Sequence, residues 1–319
     1  MTKLLIIGDI GLDLIMGPVD RWPSPGTEAL VDRMEMRAGF SAANAALAAR
    51  HLGHVCQLVG AVGNDDLGRW IVDKLDGIET RLTFTGTATT LSVAFIQSDG
   101  ERSFLTTRGH LESIDWAGLL PVIDPARPGD IALLTGLFLM PRLRAAYGET
   151  LRVLRQQGYR VAVDTGWPTE GWTPEIRAEV TAWLPHCDVL LLNEIEIPGL
   201  SGHADIDHAL TDLAGRMAPG GIAVAKMGAR GAVAAQDGHL FRGTAPAVSA
   251  FDTVGAGDSF NAAFLAALQN GLPLEAALSA GCVGASTIIA HFPREAIAPG
   301  MLANIIAPER TAAVASAAR

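Results

Sequence analysis

The chain contains the segment Phe251-Asp252-Thr253-Val254-Gly255-Ala256-Gly257-Asp258-Ser259-Phe260, in which two glycines and a carboxylate meet the start of a helical pattern. Apolar residues recur at helical spacing from Asp258 to Gln269, and Asn270-Gly271 followed by Pro273 ends the pattern. The first N–H groups of a helix lack acceptors within it and carry partial positive charge, so they bind anions. We therefore predict a phosphate site, an anion hole formed by Gly255, Ala256 and Gly257.

Asp258 lies next to this predicted phosphate site. A carboxylate there repels a bound anion, but it can also accept a proton from an attacking hydroxyl and make that hydroxyl a better phosphoryl acceptor. Alternatively, Asp252 and Asp258 only interact favourably with the helix dipole, and the glycines form a tight turn. Because the segment alone fits both interpretations, the rest of the chain must distinguish them.

The composition excludes several classes of protein. Of the 319 residues, 49% are hydrophobic and 18% are charged, which is typical of helices packed on a buried sheet. The net charge of −10 gives no basic field that would attract nucleic acid or anionic lipid. Three widely separated cysteines argue against a disulfide framework or a zinc site. With no secretory signal and no membrane-spanning apolar run, we expect a cytoplasmic protein that binds neither nucleic acid nor membrane.

Short apolar runs alternate along the chain with helical stretches such as Arg142–Gln157 and Ile206–Met217. The runs that end in a polar residue or glycine are Leu4–Ile7, Ile131–Leu134, Val161–Val163, Val189–Leu192 and Ile222–Ala225. Such strands indicate a mostly parallel sheet covered by helices on both faces, and the last four start roughly 30 residues apart, as in βαβ units. Ligands bind beyond the carboxyl ends of these strands, where we expect the following polar residues to gather near 255–258: Asp9, Asp164, Asn193 and Lys226.

Two segments, 12–37 and 89–108, break this rhythm. The first is rich in Pro and Gly and contains the alternating stretch Thr27–Met36. The second predicts two strands, Leu91–Gln97 and Ser103–Thr107, around the turn Ser98-Asp99-Gly100-Glu101. We predict that the two segments form a small antiparallel β-sheet that projects as a lid, and the alternative is a pair of ordinary surface hairpins.

This interpretation divides the chain into two parts. Residues 1–11, 38–88 and 109–319 are predicted to form an α/β core that binds nucleotide and substrate, and residues 12–37 and 89–108 are predicted to form the lid. A lid with one apolar face, including Val93 and Phe95, would also allow two copies to pair as a homodimer.

The sequence resembles the ribokinase-like (PfkB-type) carbohydrate kinases. Asp252–Phe260 is similar to the C-terminal signature of that family, and four further patterns follow the family's order along most of the chain: Gly8-Asp9-Ile10-Gly11-Leu12-Asp13, Ala38-Gly39-Phe40-Ser41-Ala42-Ala43-Asn44, Asn193-Glu194-Ile195-Glu196 and Lys226-Met227-Gly228-Ala229-Arg230-Gly231. Each pattern is weak alone, but five in the right order at strand ends are not expected by chance. The resemblance implies a ribokinase-like fold and an ATP-dependent kinase with Asp258 as catalytic base.

The resemblance also implies the binding residues. The sugar is expected to contact Asp13, Gly39, Asn44 and Asp258. ATP is expected to contact Asn193, Lys226, Gly228 and Gly231. Glu196 is expected to hold Mg²⁺, through water because Mg²⁺ gives up its hydration shell reluctantly, and Asp252 to border a monovalent cation, K⁺.

Each of these residues also has a structural interpretation. Asp13 could form an Asx turn, and Asn44 could simply belong to a helix that Ser41 caps. Asn193 and Glu196 could cap a helix. Gly228 and Gly231 could form a hairpin turn, and Lys226 could simply be solvated. In addition, Phe40 stands where the family usually has a second glycine, so the backbone path beside the sugar is left open.

The expected substrate is a neutral ketose or pentose, such as fructose or ribose. Residues 101–108 resemble the lid strand of 2-keto-3-deoxygluconate kinases, in which an arginine faces an acidic sugar, so Arg108 is a candidate substrate ligand. The tyrosines of that strand are absent here, and Pro168 stands where several relatives have an arginine. Both differences disfavour an acid sugar, although an acid-sugar kinase and a nucleoside kinase remain alternatives.

Two other classes of function fit the sequence less well. A non-catalytic sugar or nucleotide sensor on the same fold would not need Asp258. A dinucleotide-dependent oxidoreductase would need Gly-x-Gly-x-x-Gly after the first strand, where Gly8-Asp9-Ile10-Gly11 has the wrong spacing. The sequence also lacks a Gly-x-x-x-x-Gly-Lys-Ser/Thr P-loop, so the kinase interpretation is the one that it favours.

Overall fold

The computed structural model describes residues 2–19, 21–97, 102–249, 252–291 and 293–307. The turn predicted at 98–101 lies outside them. Within these ranges the strands, in chain order, are β1 (Leu4–Gly8), β2 (Gly11–Val19), β3 (Arg33–Gly39), β4 (Cys56–Gly63), β5 (Glu79–Thr85), β6 (Leu91–Gln97), β7 (Arg102–Thr106), β8 (Ile131–Thr135), β9 (Arg160–Asp164), β10 (Val189–Asn193), β11 (Ile222–Lys226), β12 (Ala232–Gln236) and β13 (His239–Gly243).

The helices of the described residues are α1 (Phe40–His51), α2 (Asp66–Lys74), α3 (Trp116–Leu119), α4 (Pro141–Arg144), α5 (Tyr147–Gln156), α6 (Pro174–Trp183), α7 (Glu196–Ser201), α8 (Ile206–Arg216), α9 (Ala256–Gln269) and α10 (Leu274–Ile289). The pattern at Arg142–Gln157 predicts one helix, but the structure divides it into α4 and α5, and the break places Tyr147 in the core against Trp183. No helix in the described part of the chain is long and apolar enough to cross a membrane.

The main sheet has nine strands in the order β13-β12-β11-β10-β9-β8-β1-β4-β5. The seven strands from β11 to β5 are parallel to one another, and β12 and β13 extend the sheet as an antiparallel hairpin. All five apolar runs lie in this sheet as predicted. Their carboxyl ends therefore meet at one edge, which is where ligands bind in open α/β sheets.

Helices cover both faces of this sheet. Leu4 and Ile6 of β1 belong to one core together with residues of α1, α9 and α10, whereas Leu5 and Ile7 belong to a second core with residues of α5, α6 and α8. This follows from the alternation of side chains along a strand. Each fully buried Leu or Ile contributes about 1.5–3 kcal/mol, so even this short strand is firmly held.

A second sheet has four strands in the order β3-β2-β6-β7. It consists of two antiparallel pairs, β2 with β3 and β6 with β7, joined by a parallel pairing of β2 with β6. The prediction of a small sheet from these two segments is confirmed. The alternating stretch Thr27–Met36 is a strand only from Arg33 onward, because β2 pairs with β3 no further than Gly17, and Pro18 has no N–H to extend the ladder.

Candidate active site

The N-terminus of α9 forms the centre of the site. Gly255 precedes the helix with φ +78°, a left-handed conformation that a glycine adopts without strain. The N–H of Ala256 donates to the carbonyl of Thr253 at 3.2 Å, so this predicted anion-hole donor is already used. The N–H groups of Gly257 and Asp258 lie in the first helical turn, where the helix supplies no acceptor. These two N–H groups can donate hydrogen bonds to an anion.

Asp258 lies in that same turn, and its carboxylate accepts a hydrogen bond from Nδ2 of Asn44 at 3.3 Å. Loss of hydration raises the pKa of Asp258 well above its usual value, the negative charge of Asp164 adds to this, and the ammonium group of Lys226 opposes it. A carboxyl group with a raised pKa accepts a proton more readily than an ordinary one. Asp258 is therefore suited to act as a general base.

Lys226 lies at the end of β11 with its side chain 12% exposed and paired with Asp164, so the interpretation of a simply solvated lysine is wrong. Its Nζ is 2.7 Å from Oδ2 of Asp164 and 3.3 Å from Oδ1 of Asn261. Burial disfavours its charged form, but Asp164 and Glu196 outweigh this and raise the pKa of Lys226. A β-carbon at Gly257 would lie 3.3 Å from Nζ. The lysine thus places a positive charge against the turn at Gly257.

Asn193 and Glu196 cap the start of α7. Oδ1 of Asn193 accepts from the N–H groups of Ile195 at 2.9 Å and Glu196 at 2.8 Å, and the Glu196 carboxylate accepts from the N–H of Asn193 at 2.8 Å. This is the reciprocal arrangement of a capping box. Burial, followed by the charge of Asp164, raises the pKa of Glu196 to about 7. The Glu196 carboxylate also lies near the Asp164–Lys226 pair, at the carboxyl ends of β9 and β11.

Asp13 and Gly39 meet at the start of α1. The carboxylate of Asp13 accepts from the N–H of Phe40 at 3.2 Å, and a β-carbon at Gly39 would overlap this carboxylate. Asp9 accepts from the N–H of Ala42 at 3.2 Å. Burial raises the pKa of Asp9 to about 7 and that of Asp13 to about 6. The two buried carboxylates, rather than the side chain of Ser41, therefore bond to the free N–H groups of this helix.

Phe40 has φ +65°, the conformation that a glycine would adopt without strain. Its ring packs where a β-carbon at Gly11 would collide with it, and the side chain is buried in the second core. The backbone beside Asp13 is therefore left-handed at this position although the residue is not glycine.

Asp252 does not offer a free carboxylate. Nη1 of Arg37 is 3.1 Å from its Oδ2, Nη2 of Arg37 is 3.2 Å from its Oδ1, and Nη2 of Arg294 is 3.2 Å from Oδ1. This geometry does not fit the K⁺ site expected at Asp252, because two guanidinium groups already bind the oxygens that a cation would need.

The structure does not bring every expected residue to the site. Arg108 pairs with Glu112 at 2.8 Å on the surface, and its side chain is 87% exposed. Gly228 and Gly231 form the turn between β11 and β12, in which the N–H of Met227 donates to the carbonyl of Gly231. A contact of these three residues with sugar or ATP remains a prediction.

Sequence reasoning missed three residues of the site and assigned no role to a fourth. Asn261 follows Asp258 by three positions on α9, so helical spacing could have found it. Arg37 stands directly opposite Asp13 in the β2–β3 register, which only strand pairing reveals. Asp164 was expected at the sheet edge without a role, and Arg294 has no signal in the sequence.

The chain is similar to known proteins over most of its length. Residues 1–293 match a family model described as pfkB family carbohydrate kinase. A nucleoside kinase of Methanothermobacter thermautotrophicus is 27% identical over 282 residues, which cover 85% of this chain and 84% of that protein. A 5-dehydro-2-deoxygluconokinase of Geobacillus thermodenitrificans is 29% identical over 262 residues, which cover 79% of this chain and 78% of that protein.

The fold is shared with solved structures. The structure of Arabidopsis thaliana ribokinase complexed with ribose and ATP has a TM-score of 0.75 at 22% identity, and the match covers 96% of this chain and 99% of that one. This likeness confirms the expected ribokinase-like fold.

Proposed function

Since this chain belongs to the PfkB family of carbohydrate kinases and is a sugar or nucleoside kinase of that family, we propose that it transfers the γ-phosphate of ATP to a primary hydroxyl of a small neutral sugar, a ketose or pentose such as fructose or ribose. One observation carries this proposal. The Asp258 carboxylate, bonded by Asn44, lies in the same helical turn as the N–H groups that can bind the transferring phosphate.

In the proposed reaction, Asp258 takes the proton of the sugar hydroxyl as its oxygen attacks the γ-phosphorus. A bond forms between that oxygen and phosphorus, the bond from phosphorus to the β–γ bridging oxygen breaks, and ADP leaves with the electron pair. The N–H groups of Gly257 and Asp258 stabilise the charge on the transferring group, and loss of one such donor typically costs about 2.7–4 kcal/mol. Asn44 holds the carboxylate toward the hydroxyl.

We further propose that ATP lies along the ends of β10 and β11, where Asn193, Lys226, Gly228 and Gly231 are found. Mg²⁺ neutralises charge on the phosphates when it is bound. No three His, Cys, Asp or Glu groups within the described ranges lie close enough to hold an ion by themselves. One carboxylate, Glu196, combined with water and phosphate oxygens fits the preference of Mg²⁺.

The four-stranded sheet is proposed to act as a lid, with residues 12–37 and 89–108 separate from the core. It already contacts the core through several side chains, including Arg37 of β3, which pairs with Asp252. Asp13 of β2 accepts from the N–H of Phe40, and Arg102 of β7 donates to Oγ1 of Thr253 in the segment before α9. Closure of the lid over a sugar would exclude water and suppress ATP hydrolysis.

We also propose that the protein works in the cytoplasm. Its three cysteines are free and buried, which agrees with a reducing compartment.

The charges around Asp13 favour a neutral sugar. The guanidinium groups nearest to it, those of Arg37 and Arg294, are bound to Asp252, and Arg37 also binds Glu35 at 3.2 Å. Arg108 is paired with Glu112. An acidic sugar would therefore have to displace an existing partner before it could form its own ion pair. An acid sugar and a nucleoside are the alternative substrates, because one relative is a 5-dehydro-2-deoxygluconokinase and the other a nucleoside kinase.

A coupled ADP-release assay over ketoses, pentoses, sugar acids and nucleosides tests this proposal. We expect turnover with a neutral ketose or pentose and little with sugar acids. Turnover confined to a sugar acid or a nucleoside would replace the proposed substrate. Saturable ATP binding without turnover on any acceptor would favour a sensor instead of an enzyme.

We also propose that two copies pair through the outer face of the four-stranded sheet. The register places Leu14, Met34, Met36, Val93 and Leu105 on that face. Met34 and Leu105 are 62% and 59% exposed, and Trp22 packs edge-on against Phe95 of the same face. A contiguous apolar face of this kind is typical of an interface between subunits.

Leu105→Glu is expected to convert a dimer into a monomer, because it would bury two carboxylates in the proposed two-fold interface. Light scattering coupled to size exclusion measures the mass directly. Leu240→Glu, at an exposed position on β13 of the main sheet, is the matched control and should not change the mass. A wild-type protein that is monomeric at all concentrations would contradict the proposal.

A further inference from the structure

Asp252 is buried between two arginines that come from distant parts of the chain. Arg37 belongs to β3 of the four-stranded sheet, and Arg294 lies in the short helix Arg294–Ala296 after α10. The exposed fractions of Asp252, Arg37 and Arg294 are 5%, 6% and 9%. Little of these three side chains is exposed, and the two arginines line a cavity beside α1.

Every acceptor oxygen of Asp252 has an N–H donor. Oδ2 accepts from Arg37, and Oδ1 accepts from Arg37 and from the N–H of Val254 at 2.8 Å. The backbone carbonyl accepts from Nη2 of Arg294 at 3.1 Å. A monovalent cation binds oxygen atoms, so it would have to displace these donors.

The charges also balance without a cation. Arg37 and Arg294 carry two positive charges, and Asp252 and Glu35 carry two negative charges. The other titratable neighbours are Asp13, which we assign to the sugar, and His51, whose pKa is lowered to about 4 mainly by burial, so that it is neutral. A further cation would lie next to two guanidinium groups, which repel it.

The cluster holds the segment that leads into α9. Asp252 accepts from Val254, and a β-carbon at Gly255 would lie 3.2 Å from Nη1 of Arg294 and 3.1 Å from the side chain of Asn44. Arg294 thus contacts the residue that precedes the anion-binding N–H groups. Arg37 connects the same segment to the four-stranded sheet.

We propose that Arg37 and Arg294 take the place that the family resemblance gives to K⁺, as positioning residues that fix the segment 252–255 and make the enzyme independent of monovalent cations. The part of this inference that concerns turnover rests on the proposed kinase function, because that segment leads into the anion hole. The part that concerns cation binding does not.

The first test compares the wild-type protein in KCl, NaCl and tetramethylammonium chloride at equal ionic strength. We expect turnover within about twofold and the same melting temperature in all three, because a ligand that binds only the folded state would raise that temperature. Activation by K⁺, or a rise in melting temperature specific to K⁺, would overturn the inference. If no acceptor is phosphorylated, the kinase proposal fails, and the melting temperatures still decide the question of cation binding.

The second test uses Arg294→Ala, Arg294→Lys and the control Arg216→Ala, in which an exposed pair with Asp212 is lost. For Arg294→Ala we expect kcat to fall about 10- to 100-fold with the sugar KM nearly unchanged, as for loss of transition-state stabilisation alone. Millimolar guanidinium should restore part of this loss, and Arg294→Lys should retain more activity. An unchanged kcat in folded Arg294→Ala would contradict the positioning role. If Arg294→Ala does not fold, Arg294→Gln removes the charge with less loss of packing, and an unchanged kcat in that variant would contradict the role as well.

Discussion

Asp258→Asn should lower kcat by about 10²- to 10⁴-fold, the range that a positioned general base contributes, while the sugar KM stays within a few-fold. The change is nearly isosteric and can keep a hydrogen bond to Asn44, so it removes only the proton acceptor. Steady-state kinetics with the best acceptor from the panel measure both constants.

The pH profile adds an independent readout for this variant. Because burial raises the pKa of Asp258, wild-type kcat should fall as the pH is lowered through that pKa, whereas the residual activity of Asp258→Asn should lack this step. Asp66→Asn removes another acid from the first turn of a helix, α2, at an exposed position and should leave kcat unchanged. Asp258→Asn turnover equal to wild type would mean that another group takes the proton.

Lys226→Met should lower both stability and turnover. It removes the partner of buried Asp164, and breaking a buried pair by removing one member typically costs about 3–5 kcal/mol of unfolding free energy. It also removes the positive charge beside Gly257, so we expect kcat to fall by at least about 100-fold, as for loss of other groups that stabilise a transferring charge. Urea denaturation measures the first effect, and turnover at saturating ATP measures the second.

The double variant Lys226→Met with Asp164→Asn separates the two roles. The amide that replaces the Asp164 carboxylate carries no charge, so most of the lost stability should return. Turnover should remain low because the cation at the phosphate site is still missing. Recovery of turnover together with stability would show that Lys226 only neutralises Asp164.

Sequence patterns predicted the elements that depend on neighbouring residues. The five apolar runs and the helix after Asp258 follow from residues within about 15 positions of one another, and they appear in the structure where expected. The pattern at Arg142–Gln157 failed where the chain breaks to bury Tyr147, because tertiary packing outweighed helical periodicity.

Pairings between distant residues decided what the sequence left open. From the sequence alone, Lys226 could be solvated or functional. The structure shows that it pairs with Asp164, which is 62 positions away in the chain. By its resemblance to the family, Asp252 is expected to border a cation. The structure shows that it binds Arg37, which is 215 positions away in the chain.

The sequence alone therefore determined the class of fold, the family resemblance and the position of the glycine turn before α9, because strand alternation, helical spacing and glycine geometry are local properties of the chain. Only the tertiary structure decided which acidic and basic side chains form ion pairs. An ion pair forms between side chains that packing brings within a few ångströms, whatever their separation in sequence, and burial then sets the strength of the pair.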